Sequence, residues 1–338
     1  MQQEHILVWL PSPMGDAILA TPALRALRNH FQNAVITYYA NRVVREALSP
    51  CHWNDHWLNQ QRGWHAIRTI RRQGFTRVIL LKNSLGSAAI CCLAGIPRRI
   101  GYARDHRAWL LTDKLHPLRK TEGAYLPLSM VDYYLQLTEH LGCESGDKIP
   151  SLNIAAEDHD SLLRNHPQFR EEKMSLVILV PGGAFGPSKC WPTSHYAQVA
   201  SRLVRRYHAK VVLSVSPDER EKSIAAAIVQ QCPDPLVNLA DDPMSLRELK
   251  ALFSRADLII SNDTGPRHIG IALRRRVISL FGPNDPAWTN TGYDGEIQIM
   301  APGPCVRCQK PTCRRPDVFC METITVDTVF RAAQDLLG

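Results

Sequence analysis

Three stretches of this chain carry residue types and spacings suited to chemistry on an anionic, hydroxyl-rich ligand. The longest, Ser261 to Pro286, reads SNDTGPRHIGIALRRRVISLFGPNDP. Asp263 supplies an acceptor and Thr264 a hydroxyl, Gly265 makes a turn, and His268 falls on the first turn of a helix, where its imidazole can meet a phosphate or sugar oxygen. Helix capping is the simpler use of Asp263. The second stretch, PGGAFGPSKCWP from Pro181 to Pro192, has two glycines that let backbone approach a ligand, Gly183 among them, and a lysine, Lys189, able to neutralise a diphosphate. The third is Gly15-Asp16, a carboxylate near a helix start. Asp16 there either complements the helix dipole or serves as a base. Glu219, in a helix start after the strand 210–214, is an acceptor candidate for ribose hydroxyls, although acids at helix starts also answer the dipole.

The elements that must hold these residues read as alternating strands and helices. Apolar runs at 6–10, 34–39, 78–81, 176–180, 210–214, 236–240, 256–260 and 277–281 have strand character, and helical spacing follows most of them. A strand that feeds straight into a helix, as at Asp263-Thr264-Gly265, leaves N–H groups aimed past the sheet edge, an anion cradle. Residues 62–73 read as an amphipathic helix with a basic polar face, and Ser245-x-x-Glu248 as a capping box. The expected fold class is α/β, with two Rossmann-like domains facing across a cleft, 1–165 and 166–323, the polar stretch 147–165 as linker and a terminal helix over 324–338.

The 338 residues suffice for two cores, and 45% hydrophobic with 21% charged residues is ordinary for a soluble globular chain. No run of 18 apolar residues occurs and no basic region precedes the first apolar stretch, so a cytoplasmic location is expected, with room for peripheral contact with the inner membrane. Residues 1–150 hold 18 Lys and Arg against 11 Asp and Glu, while residues 151–338 hold 22 against 21, so the surplus charge lies in the first half. A nucleic acid, a membrane surface, a phosphorylated glycolipid or a merely solvated basic face would each fit.

The pattern N-D-T-G-P-x-H followed by F-G-P-x-D-P resembles the donor-site signature of glycosyltransferase family 9, the bacterial lipopolysaccharide heptosyltransferases, and G-P-x-K-x-W-P and A-G-I-P-x-R-x-G resemble two more of its runs. The resemblance implies the GT-B architecture and an inverting, metal-independent transfer of heptose from ADP-L-glycero-D-manno-heptose to the inner core of lipopolysaccharide. It favours Asp16 as the base on the acceptor hydroxyl. It makes Lys189, Gly183, Asp263, Thr264, Gly265 and His268 donor-site residues, and it puts Arg98 and Arg99 where the phosphorylated lipid A-core acceptor binds. It implies no cofactor and no nucleic-acid partner, and sends the terminal helix back to the first domain. Arg267, Arg274, Arg275 and Arg276 depart from the family pattern, which is less charged there.

Cys305, Cys308, Cys313 and Cys320 are spaced C-x2-C-x4-C-x6-C, which fits a structural zinc as well as a surface segment of reduced thiols, without a catalytic role in either case. Two other functions remain compatible with the sequence. A nucleotide-sugar epimerase would turn over UDP-sugar with no acceptor, and a non-enzymatic binder of anionic polymer would not depend on Asp16.

Overall fold

In the computed structural model, which describes residues 3–118, 125–170, 174–303, 305–315, 317 and 319–338, the chain forms two α/β units. The first comprises Met1–Asn153 with Ala287–Thr291, the second Ile154–Pro286 with Gly292–Gly338.

Six strands build the first unit: β1 (His5–Trp9), β2 (Val35–Ala40), β3 (His56–Asn59), β4 (Arg77–Leu80), β5 (Arg98–Tyr102) and β6 (Asp113–Leu115). Its helices are α1 (Met14–Leu19), α2 (Thr21–His30), α3 (Arg42–Leu48), α4 (Gly63–Arg72), α5 (Leu85–Leu93) and α6 (Met130–Glu139). The sheet is parallel throughout, in the order β3-β2-β1-β4-β5-β6. β1 and β4 are buried almost end to end because helices cover both faces, which is why they read as unbroken apolar runs. Ile67 and Ile70 of α4 and Ala88 and Cys91 of α5 pack with Leu7, Val78 and Leu80 in one core cluster.

The second unit repeats the plan with β7 (Leu176–Val180), β8 (Lys210–Leu213), β9 (Val237–Asn238), β10 (Leu258–Asn262), β11 (Val277–Phe281) and β12 (Glu296–Met300), all parallel, in the order β12-β11-β10-β7-β8-β9. Its helices are α7 (Ala156–Asn165), α8 (Thr193–Tyr207), α9 (Glu219–Gln231), α10 (Leu246–Ser254), α11 (Gly265–Ala272) and α12 (Val326–Leu337). Each sheet therefore winds outward in both directions from its first strand. The strand order reverses beside β1 in one unit and between β7 and β10 in the other, and such switch points are where open α/β sheets take ligands.

Two boundaries differ from the sequence reading. The first unit ends at Asn153 rather than 165, because residues 156–165 form helix α7 instead of a linker. Polar anchors tie α7 to α10: Arg247 Nε lies 2.7 Å from Asp158 Oδ1, and Ser161 Oγ and Asn165 Nδ2 each donate to Glu248 Oε1 at 2.7 Å. Glu248 also closes the capping box with Ser245, and these bonds hold its carboxyl at about 2 against the effect of burial. The terminal helix α12 packs on α8, β10 and β11 within the second unit. Val329 and Ala333 are its buried stripe, Trp191 Nε1 donates to Ile324 O at 2.8 Å, and Arg202 pairs with Asp327. Among the described residues no helix is long and apolar enough to cross a membrane.

Candidate active site

At the switch point of the second sheet the exits of β7, β10 and β11 converge. Asn262, the last residue of β10, is fully buried and binds the β7 exit: its Nδ2 donates to Pro181 O at 2.7 Å, and its Oδ1 accepts from Tyr196 Oη at 3.2 Å. Two glycines after Pro181 are demanded by what lies against them. A Cβ on Gly182 would stand 2.3 Å from the Glu221 carboxyl carbon, and one on Gly183 would stand 2.6 Å from Lys189 Cε. Lys189 is therefore laid along the Gly183 backbone, with its Nζ donating to the Asp263 carbonyl. Burial lowers its ammonium below the usual lysine range, against the pull of Asp263.

Asp263 is tied both to α11 and to the β11 exit. Its Oδ1 accepts from Arg267 Nη1 at 3.0 Å and its Oδ2 from Asn284 Nδ2 at 2.8 Å, the latter reaching in from the β11 exit. Burial opposes its ionisation, but the Arg267 guanidinium holds the carboxyl below its ordinary range. Arg267 is itself fully buried and forks onto Glu296 of β12, Nε to Oε1 at 2.6 Å and Nη2 to Oε2 at 3.0 Å. The arginine that departs from the family pattern is thus matched by a buried glutamate. α11 starts at Gly265 with Pro266 in its first turn and no side-chain cap from Thr264, so its first N–H groups are directed past the strand end. His268 is buried, and burial, then Arg267, lowers its pKa to about 3, so it is neutral. Its Nδ1 has no hydrogen-bond partner, a buried polar atom of the sort a ligand satisfies.

Lys189, Gly183, Asp263, Thr264, Gly265 and His268 are brought together in this way, whereas Glu219 is not: it is exposed and pairs with Lys222. The buried acid of that helix is Glu221, whose Oε1 accepts from Gly183 N at 2.9 Å and whose Oε2 accepts from Ser216 N at 2.8 Å. The spacing Asp218-x-x-Glu221 is a capping signal that could have singled it out. Arg220 was missed as well; its Nη2 donates to Gly183 O at 2.8 Å, beside Lys189. Next to these, a cavity of about 170 Å³ opens at the exits of β8 and β9, lined by Val215, Leu239, Ala240, Pro243 and Met244.

The segment with four cysteines braces the cradle. Arg307 N donates to Gly282 O at 2.9 Å, Gln309 N to Pro283 O at 2.8 Å, and Ser188 N to Pro311 O at 3.2 Å. Gly186 adopts φ 150°, and a Cβ there would lie 2.3 Å from Pro311 O. Cys305, Cys308, Cys313 and Cys320 are free thiols, and among the described residues no group of His, Cys, Asp and Glu side chains is arranged to hold a metal ion.

In the first unit, Asp16 is the third residue of α1, half-buried at the exit of β1 and therefore at the switch point. The neighbouring exits supply Lys82, whose Nζ donates to Ser12 Oγ at 2.8 Å, and the buried Arg107, which donates to Lys82 O at 2.6 Å and to Asn83 Oδ1 at 2.8 Å. Arg98 and Arg99 are placed otherwise than expected. They open β5, so they sit at the amino ends of the strands, about 13 Å from the exit edge for a four-residue rise. The Arg99 guanidinium is engaged by carbonyls, Nε to Leu110 O at 2.7 Å and Nη1 to Ile96 O at 2.6 Å. Lys82 and Arg107 are cations that do lie at the ligand edge of this sheet.

Two doubly wound units of this strand order, one with a carboxylate and the other with a cationic cradle at its switch point, define the GT-B class of α/β glycosyl-transferring folds. Residues 64–318 match the model of glycosyltransferase family 9 (heptosyltransferase), and the chain belongs to that family. It is 29% identical over 301 residues to lipopolysaccharide heptosyltransferase 2 of Salmonella typhimurium, covering 84% of each chain. The structure of the ADP-heptose lipopolysaccharide heptosyltransferase II of E. coli superposes with a TM-score of 0.77 at 25% identity over 98% of both chains. A family 9 glycosyltransferase from Veillonella parvula, 21% identical, shares the fold with a TM-score of 0.81 over 100% of this chain and 98% of that one.

Proposed function

We propose that this family 9 enzyme moves heptose from ADP-L-glycero-D-manno-heptose to a phosphorylated lipid A-core acceptor in the cytoplasm, with inversion and without a metal ion. The observation that carries the reading is the cradle of Lys189, Asp263 and the start of α11, with the unpartnered Nδ1 of buried His268 beside it. It suits a diphosphate and its sugar. The apolar cavity at Leu239 and Met244 suits the purine. Glu221, rather than Glu219, holds the turn under the donor.

Asp16 takes the proton of the acceptor hydroxyl as its oxygen attacks the anomeric carbon, and the bond to the ADP oxygen breaks on the opposite face. Lys189 and the N–H groups at Thr264 and Gly265 meet the charge that develops on the diphosphate, and neutral His268 adds a hydrogen bond. Asp263, fixed by Arg267 and Asn284, holds sugar hydroxyls.

The test is ADP release from ADP-heptose with and without a heptosylated lipid A-core acceptor. Acceptor-dependent release that falls roughly 100-fold or more in Asp16→Ala is expected. Release independent of acceptor, or an unaffected variant, refutes the proposed transfer or its base.

A further inference from the structure

We infer that the outer face of α4, with the adjoining face of α5, is a docking surface for an anionic phospholipid bilayer. Residues 56–104 contain nine Lys and Arg and no Asp or Glu. The fold spends some of these internally: Arg77 pairs with Glu4 at 2.6 Å, Lys82 and Arg99 are engaged as above, and Arg71 donates to Leu93 O. Arg62, Arg68, Arg72 and Arg98 are left exposed, with no ion pair among the described residues.

On α4, Ala66, Ile67 and Ile70 face the sheet, so Trp64, Arg68, Arg71 and Arg72 fall within about 100° of one another on the outer side, by the helical angle of 100° per residue. Trp64 is 57% exposed, and the Arg68 guanidinium lies over its ring at 5.8 Å. Leu85 and Leu93 of the adjoining α5 are exposed as well, and Arg71 reaches the Leu93 carbonyl. An indole and leucines among unpaired arginines, with no carboxylate in the layer, is the composition that seats on a headgroup region. A solvated basic face does not need the exposed tryptophan. α4 follows β3, so its amino end and Trp64 lie toward the strand-exit edge that carries Asp16. The choice of a lipid over other polyanions rests on the acceptor reading above, since a lipid-anchored acceptor reaches the enzyme at a membrane.

The experiment is co-sedimentation of the full chain with vesicles of phosphatidylcholine alone and of phosphatidylcholine mixed with phosphatidylglycerol, neither carrying sugar acceptor. The wild type is expected to bind only the mixed vesicles, more weakly as salt is raised. Each arginine at such a surface is worth roughly fivefold in partitioning, so Arg68→Gln/Arg72→Gln is expected to bind about 25-fold more weakly. Arg206→Gln/Arg331→Gln, an equal loss of charge on exposed positions of the second unit, is expected to change binding by less than about twofold. Transfer to a water-soluble, delipidated acceptor stays at the wild-type rate in the α4 variant, which also establishes that it folds. Equal losses in the two double variants, no preference for phosphatidylglycerol, or release from the vesicles by a small excess of duplex DNA would overturn the assignment. Because no acceptor or donor is present in the vesicle assay, failure of the transferase reading leaves a result there that can be told apart.

Discussion

Replacing Arg267 by methionine tests the electrostatics of the donor site. The guanidinium is fully buried and satisfies two carboxylates, Asp263 at 3.0 Å and Glu296 at 2.6 and 3.0 Å, besides Ser279 Oγ at 2.9 Å. Methionine keeps most of the volume and removes the charge, stranding both acids away from water. Breaking a buried pair from one side costs about 3–5 kcal/mol, which for a unit of this size lowers the melting temperature by on the order of 10 °C. Removing the second partner as well, in Arg267→Met/Glu296→Gln, is expected to recover about half of that, because Asp263 retains Asn284 and the nearby Lys189.

The pH dependence has a definite sign. In the wild type burial raises the pKa of Asp263 and of Glu296, but Arg267 brings both below the ordinary carboxylate values. Their contribution to stability is present above the unfolded-state pKa and is lost as the pH falls through the folded one. Without Arg267 the largest opposing charge is gone, only partners such as Asn284 and Gln298 still resist burial and the folded values rise, so the variant loses stability as the pH climbs through the carboxylate range. The gap between wild type and variant is therefore widest at neutral pH and narrows toward roughly pH 4. Denaturation followed across that range reads it directly. A variant less than about 1 kcal/mol weaker at neutral pH, or a gap that does not move with pH, would refute the claim that these charges are buried and mutually dependent.

Lys189→Met is expected to lower the rate of ADP release by roughly 100-fold or more with the fold intact, since it removes a cation from the leaving group. Gly183→Ala, whose Cβ would stand 2.6 Å from Lys189 Cε, pushes the same side chain aside and gives a comparable loss without touching the charge. Both are read by steady-state release. His268, moved by burial from 6.5 to about 3, contributes stability that is full above 6.5 and drains as the pH falls toward 3; His268→Gln is expected to flatten that part of the denaturation profile. Arg98→Ala and Arg99→Ala are expected to leave the KM for a water-soluble, delipidated acceptor within about twofold, with only Arg99→Ala losing stability, because its guanidinium ties Leu110 O and Ile96 O to β5; a tenfold rise in that KM for either would refute their placement away from the ligand edge.

The alternation of strands and helices was legible because the central strands, buried on both faces, read as apolar runs with turn residues after them. What escaped were strands without that signature. β12 is half-exposed along its length, β3 and β6 are short edge strands, and β5 opens on two arginines after a proline. The same masking bears on Arg98 and Arg99: the resemblance puts them where the acceptor binds, whereas as the first residues of a parallel strand they start at the edge opposite the strand exits. α7 was read as linker because its buried surface is small and its attachment is polar, through Asp158, Ser161 and Asn165. The residues of the cradle were legible from loop chemistry alone, Lys189 and Asp263 above all. Arg220 and Glu296 were not, and the capping signal marks Glu221 only as an acid at a helix start; the fold alone shows that Glu221 and Arg220 reach Gly183 and that Glu296 meets Arg267.

These three residues account for the charge of the cradle. Arg267, the departure from the family pattern, looks from sequence like an added cation for the donor phosphates, yet it is fully used by Asp263 and Glu296 and offers the ligand nothing directly. Glu221 is likewise turned toward two backbone N–H groups. The cations left to face a diphosphate are Lys189, held by the Asp263 carbonyl, and Arg220, held by the Gly183 carbonyl, together with the start of α11. Each is anchored through a backbone oxygen rather than a carboxylate, so its charge is positioned without being neutralised. The buried acids fix the geometry of the loops and leave the Lys189 and Arg220 charges turned to the site.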